Sequence, residues 1–386
     1  MKVLHLITSL RTGGAERMLQ KVVTALAPKG YTFTVVSLTE ASRIGGELEQ
    51  SGTSVIALCG MGGVLLPHRL GRLVRAVREF QPDVIHSWMY HANVLGHAVA
   101  GMRRRGGRPA LISSIRGCLD IRSVDKLGLR VVRRLDSWLS PRVDAIVFNS
   151  RCAADQHAAF GYSMRRAVVI PNCFDTDHFR PRPEEAAGLR ARLGWDGGIA
   201  IGFVARFDPY KDHRNLLEAA RIVVSRDPRC RFILVGPGCE SNNRQLSDGI
   251  EKYRLAGSVE LLGERRDIGA IQSALDIAVS SSVSESFPNA IGEAMACGTP
   301  CVVTDVGDCK LLVGDTGLVV PPADPVALAD ALVRLASLTA DQRRDLGDRA
   351  RARVVAEYGM ERIAGRICSL YEECAGPGLR EGMAEQ

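Results

Sequence analysis

Short apolar runs alternate with amphipathic helical stretches along the whole of this 386-residue chain, and they do so in two successive series. In the first series strands are expected at 3–9, 33–38, 54–58, 83–87, 110–115, 145–148 and 168–170. Between the first two, Met18, Leu19, Val22, Val23 and Leu26 recur at helical spacing and Gly30 closes the turn. The second series places strands at 200–205, 232–235, 259–262, 277–281, 300–304 and 318–320, with helices at 340–358 and 363–371. Such alternation predicts parallel, doubly wound α/β sheets, whose ligands bind at the carboxyl ends of the strands. The length admits two domains with a core each, and the proline-bearing segment 171–183 reads as the linker between 1–178 and 179–359. The residues of interest are therefore those that follow each strand.

Composition narrows the class. A hydrophobic content of 46% and a charged content of 24% describe a soluble globular protein. No apolar run approaches the ~18 residues of a membrane span, and the opening strand leaves no room for a leader peptide. Eleven cysteines without a Cys-x-x-Cys predict free thiols in a reducing cytoplasm. Residues 1–175 hold 24 Lys and Arg against 12 Asp and Glu, whereas the remainder holds 26 against 31. The surplus gathers at Arg103, Arg104, Arg105 and Arg108, at Arg130, Arg133 and Arg134, and at Arg165 and Arg166. With aromatics at 5% and not interleaved with these arginines, nucleic acid is not the expected partner. An anionic membrane surface or a lipid diphosphate is, beside the plain reading of a solvated basic surface.

The segments that follow five of the strands carry chemistry. In 283–307 a turn with Glu285 leads into a helix opened by Pro288, bearing Glu293 and ended by Gly298. A helix mouth of this kind welcomes an anion such as a diphosphate. Arg206 and Lys211, five apart on one loop, supply the cations that a diphosphate leaving group requires, or else form a salt-bridged surface loop. Gly13-Gly14 ahead of a helix either brings backbone N–H groups close to a ligand or makes a tight turn. His86 is expected to end the fourth strand, with His91 and Asn93 beyond it, and Arg116 to follow the fifth. Asp175-Thr176-Asp177 is read as turn-forming rather than metal-binding, and no metal or other cofactor is expected.

Glu285 and Glu293, with seven residues between them, precede Ala294-Met295-Ala296, Gly298-Thr299-Pro300 and Val302-Val303-Thr304. The whole string resembles the signature of retaining glycosyltransferases of family 4, which have the GT-B fold. The resemblance covers nearly the whole chain and is strongest over 166–322. It implies two Rossmann-like domains facing across a cleft, the first completed by a helix at 360–376 that Ile363, Ile367, Leu370 and Tyr371 would anchor. It also implies roles. Arg206 and Lys211 would hold the diphosphate, and Glu293 the ribose hydroxyls. Glu285 would hold the sugar, helped by Ser286, Phe287, Pro288 and Asn289. Gly236 and Arg266 would lie at the base, and Gly13 and Gly14 at the donor phosphates. His86 would approach the transferred sugar, with His91 and Asn93 as the alternatives to it; these two and Arg116 are the acceptor-side candidates, Arg116 being placed to reach a phosphate or the acceptor or else to serve the surface. One departure is Ser286, where the family carries Gly; its side chain would crowd the sugar or donate a hydrogen bond to it.

The expected function is transfer of a hexose or N-acetylhexosamine from a nucleotide diphosphate sugar, a UDP-sugar by preference, to a lipid-linked or growing glycan, on the cytoplasmic side. A GT-B nucleotide-sugar epimerase would need no acceptor, and a non-catalytic nucleotide-sugar or membrane-binding subunit would bind without turnover.

Overall fold

The computed structural model describes residues 1–11, 13–58, 67–101, 107–119, 127–195 and 197–376, the side chains of Pro67 and His68 aside. Thr12, Cys59, Arg103, Arg104, Arg105 and the tail beyond Gly376 lie outside the described residues. The chain divides into two compact units. Met1–Cys173 joins the stretch from Met360 onward, and Phe174–Gly359 forms the other.

The first unit holds strands β1 (Lys2–Ile7), β2 (Thr32–Ser37), β3 (Ser54–Ala57), β4 (Val84–Trp88), β5 (Ala110–Ile115), β6 (Ala145–Phe148) and β7 (Ala167–Val169). Between them run helices α1 (Gly14–Leu26), α2 (Arg43–Gln50), α3 (Pro67–Phe80), α4 (Tyr90–Ala100), α5 (Leu127–Leu139) and α6 (Arg151–Phe160). The strands form one parallel sheet in the order β3-β2-β1-β4-β5-β6-β7. Side chains alternate across a strand, so Val3 and Ile7 join one core while Leu4 and Leu6 join another on the opposite face.

The second unit opens with α7 (Pro183–Arg192) and continues with β8 (Ile199–Val204), α8 (His213–Arg226), β9 (Cys230–Val235), α9 (Arg244–Lys252) and β10 (Val259–Gly263). It goes on through α10 (Ile268–Ala274), β11 (Ile277–Ser280), α11 (Asn289–Ala296), β12 (Cys301–Thr304), α12 (Cys309–Val313) and β13 (Gly317–Val320). Helices α13 (Pro325–Ala336) and α14 (Ala340–Tyr358) end it, and α15 (Met360–Ala375) belongs to the first unit. Its parallel sheet runs β10-β9-β8-β11-β12-β13. The chain enters and leaves this unit at one place, where the Phe174 N–H donates to the Tyr358 carbonyl at 2.9 Å.

Each sheet reverses its winding once. In the first the reversal lies between β1 and β4, and in the second between β8 and β11. Ligands of open α/β sheets bind outside the carboxyl ends of the strands at such a reversal. The topology thus singles out the loops after β8 and β11 in one unit, and those after β1 and β4 in the other.

Candidate functional site

In the second unit these two loops are bonded to each other. The Val283 N–H donates to the Tyr210 carbonyl at 2.8 Å, and the Ser281 hydroxyl donates to the carbonyls of Lys211 at 2.9 Å and Asp212 at 3.1 Å. Backbone fixed in this way brings Lys211 Nζ onto Glu285 Oε1, which also accepts from the Ser282 hydroxyl at 3.0 Å. The pair is sheltered, with 23% of the Lys211 side chain and 14% of the Glu285 side chain exposed. Arg206 lies on the same loop, but its Nε donates to Asp208 at 2.9 Å and 65% of its side chain is exposed. Asp208 was not singled out by the sequence. Burial pushes its carboxyl up, yet the Tyr210 N–H and the Arg206 guanidinium outweigh that and hold it below the usual range.

The turn carrying Glu285 is shaped by packing. Gly307, in the left-handed region at φ +54°, leaves only 2.1 Å between an added Cβ and the Glu285 carbonyl. The Asp308 N–H meanwhile donates to the Ser286 carbonyl at 3.1 Å. Helix α11 begins at Asn289, with Pro288 as its N-cap rather than inside its first turn. The first N–H groups of a helix lack intrahelical acceptors, so this mouth is suited to an anion. Phe287 is buried between Phe174 and Tyr358, ring centroids 6.1 and 5.7 Å away, so its side chain belongs to the core and only its backbone can serve a ligand. Glu293 is half-buried on α11, and its charge adds to the burial that pushes the Cys297 thiol up to about 12. Gly236 follows β9, its N–H donating to the Gly263 carbonyl at 2.8 Å, and Arg266 is exposed beyond β10. Among the described residues no group of three or more His, Cys, Asp and Glu could hold a metal ion. Asp175 accepts from the N–H groups of Asp177 and His178 at 3.2 and 2.9 Å, as a turn-forming aspartate does.

The first unit places several of the expected site residues in its core. Strand β4 runs one residue beyond the expected end, and His86 lies at its middle, buried. Its Nδ1 bonds the Tyr371 hydroxyl and its Nε2 the Ser114 hydroxyl, both at 2.7 Å, and its ring stacks on Trp88 at 4.5 Å. Burial, with His5 and Arg116 adding to it, keeps the imidazole neutral. Both ring nitrogens are thus engaged with side chains of this core. Asn93 is likewise buried, donating to Asp136 at 3.1 Å instead of facing an acceptor. Arg116 turns inward, onto the Ile170 carbonyl at 3.1 Å and Asn172 Oδ1 at 2.5 Å, and burial lowers its pKa to about 10.

What the reversal between β1 and β4 does present is His91, half-buried in the first turn of α4, and the loop of Gly13 and Gly14. The bend before α4 is strained, with Met89 at φ +72°. Gly13 caps α1, and Glu16 lies over it, where a Cβ on Gly13 would stand 2.3 Å from the carboxylate. Burial raises the Glu16 pKa, and its own backbone N–H and the Ser9 hydroxyl only partly offset this. Any anion at this mouth therefore meets a carboxyl group already in place. An acid in the first turn of a helix was the signal that could have found it.

Family descriptions match the chain in succession, Glycosyltransferase Family 4 over residues 12–178 and Glycosyl transferases group 1 over 198–337. The fold is GT-B, of the family 4 glycosyltransferase type. A crystal structure of Anabaena HepE in complex with UDP superposes on this GT-B chain with a TM-score of 0.83 at 23% identity, covering 96% of this chain and 99% of that one. The phosphatidyl-myo-inositol mannosyltransferase of Mycobacterium leprae is 32% identical over 56% of this chain and 56% of its own length. The D-inositol 3-phosphate glycosyltransferase of Corynebacterium urealyticum is 34% identical over 63% and 58%. The chain thus spans little more than half the length of these curated relatives.

Proposed function

We propose that the protein is a retaining glycosyltransferase that moves a hexose or N-acetylhexosamine from a nucleotide diphosphate sugar to a lipid-linked or growing glycan. The observation that carries the proposal is the Lys211–Glu285 pair at the reversal between β8 and β11, in the turn that leads into α11. HepE, of the same fold, is known in complex with UDP and with UDP-glucose, which favours a UDP-sugar as donor here.

In this reading the diphosphate seats at the α11 mouth and draws Lys211 away from Glu285 and Arg206 away from Asp208. Two ion pairs within the protein are exchanged for two with the phosphates, so neither cation is left unpaired at any stage. Glu285, released from Lys211, accepts hydroxyls of the sugar, while Glu293 accepts those of the ribose. As the glycosidic bond breaks, charge grows on the leaving diphosphate. Lys211, Arg206 and the helix N–H groups stabilise it without a metal. The leaving phosphate takes the acceptor proton on the same face, which preserves the anomeric configuration. His91 replaces His86 as the histidine assigned to the sugar and acceptor side.

Thermal shift with UDP, GDP and ADP, followed by UDP release from UDP-sugars with lipid-diphosphate acceptors, tests the proposal. Stabilisation by UDP and acceptor-dependent release are expected. Absence of both across the panel would overturn it.

A further inference from the structure

Helix α5 is apolar on two sides: Leu129 and Val132 pack partly buried against the core of the first unit. Its buried residues are Arg133, Asp136 and Ser137. Arg133 lies 4.9 Å over the Tyr90 ring, and Asp136 accepts from Asn93 at 3.1 Å and from the Tyr162 hydroxyl at 2.9 Å. The opposite face carries Leu127, Val131, Leu135 and Trp138, exposed at 76, 59, 40 and 64%. These positions are three or four apart and so form one stripe. Exposed Arg130 and Arg134 run beside it, and just past the helix end the Arg142 guanidinium sits 4.3 Å over the Trp138 ring. The only acid of α5, Asp136, is turned inward.

We propose that α5 lies in the plane of an anionic lipid surface, with Leu127, Val131, Leu135 and Trp138 entering the acyl boundary and Arg130, Arg134 and Arg142 meeting the headgroups. An apolar stripe with a tryptophan and flanking arginines has the composition of interfacial helices, and arginine stems reach outward while their heads stay with the phosphates. The surplus of 24 basic against 12 acidic residues in positions 1–175 adds a long-range attraction of the same sign. A second copy of this chain fits the stripe less well. A two-fold contact would set Arg130 and Arg134 against their own counterparts, and four side chains do not approach the ~800 Å² per partner of a stable dimer.

The chain has its own reporter. Of its three tryptophans, Trp88 and Trp195 are buried, so a change in emission on adding lipid reports Trp138. The full chain is floated with phosphatidylcholine vesicles, with and without phosphatidylglycerol, while tryptophan emission is followed. Flotation with the anionic vesicles, a blue shift and quenching by brominated lipid are expected. The double variant R130Q/R134Q should weaken partitioning about thirty-fold, and V131S/W138S should abolish flotation, both keeping the wild-type unfolding temperature because all four side chains are exposed. No flotation with anionic vesicles, or flotation that both double variants leave unchanged, overturns the proposal. So does a lipid-free blue shift that grows with protein concentration, which would assign the stripe to self-association. The assay uses no nucleotide, so its outcome and that of the donor screen are independent.

Discussion

Lys211 and Glu285 neutralise each other before any ligand arrives, and that arrangement makes opposite predictions for the two residues. Lys211→Ala should lower kcat by about 10²–10³ and weaken UDP binding, measured by calorimetry. Glu285→Gln releases the lysine, so UDP should bind more tightly while sugar transfer falls; weaker UDP binding would sink the exchange of partners. The two histidines separate in the same way. His86→Ala leaves the buried Tyr371 and Ser114 hydroxyls without their partner, which should cost a few kcal/mol in urea unfolding. His91→Ala should leave stability nearly unchanged and reduce turnover. Asp136 adds a pH dependence, because burial pushes its pKa up from 3.8 to about 6, against the Asn93 and Tyr162 hydrogen bonds. A raised folded pKa stabilises the protein below the unfolded value and loses that contribution as pH rises through the folded one. Stability should therefore fall by roughly 2 kcal/mol between pH 4 and pH 7, and Asp136→Asn should remove this component of the urea-midpoint profile. None of these partners could be read from residue type alone. Histidine at a strand end and arginine after a strand are equally compatible with a ligand and with the core, and the choice depends on which way the strand faces.

Helix α11 shows how an element is placed by what touches it. Its propensity is ordinary, but a Cβ on Gly292 would come within 1.9 Å of the Phe174 ring, and Gly307 holds the preceding turn. Gly292→Ala and Gly307→Ala should each cost a few kcal/mol, and both should raise the UDP dissociation constant by displacing Glu285. A wild-type affinity in either variant would show that the turn does not set the site. The element boundaries were largely legible, since apolar period and caps are local. Helix α14 runs from Ala340 to Tyr358, the bounds expected from the sequence, and the structure adds a Thr339–Gln342 capping box at its start. The one-residue extension of β4 was not legible, because Val84 to Trp88 is apolar enough to continue and its end is set by pairing with β5. Nor could the orientation of α5 be foreseen. Its apolar period marks a face but not whether that face meets a sheet or the outside, and buried polar partners on Asn93, Tyr90 and Tyr162 decided it.

At the scale of the whole molecule, the return of α15 to the first unit joins residues far apart in sequence. Ile363, Ile367, Leu370 and Tyr371 enter the core formed by α1 and the first sheet. At ~1.5–3 kcal/mol for each such side chain, deletion from Met360 onward should unfold the first unit while the second resists proteolysis; a first unit equally resistant after the deletion would refute this dependence. Resemblance to family 4 brought the returning helix into view, and α15 does join the first unit. The sequence by itself determined the alternation of strand and helix, hence two parallel doubly wound sheets, and the residue types available after each strand, because these follow from local period and chain direction. Only the tertiary structure decided which strands are neighbours, which loops therefore meet at β8 and β11, and which side chains turn inward. Those choices rest on contacts such as that of His86 with Tyr371, 285 positions apart, which no local pattern encodes.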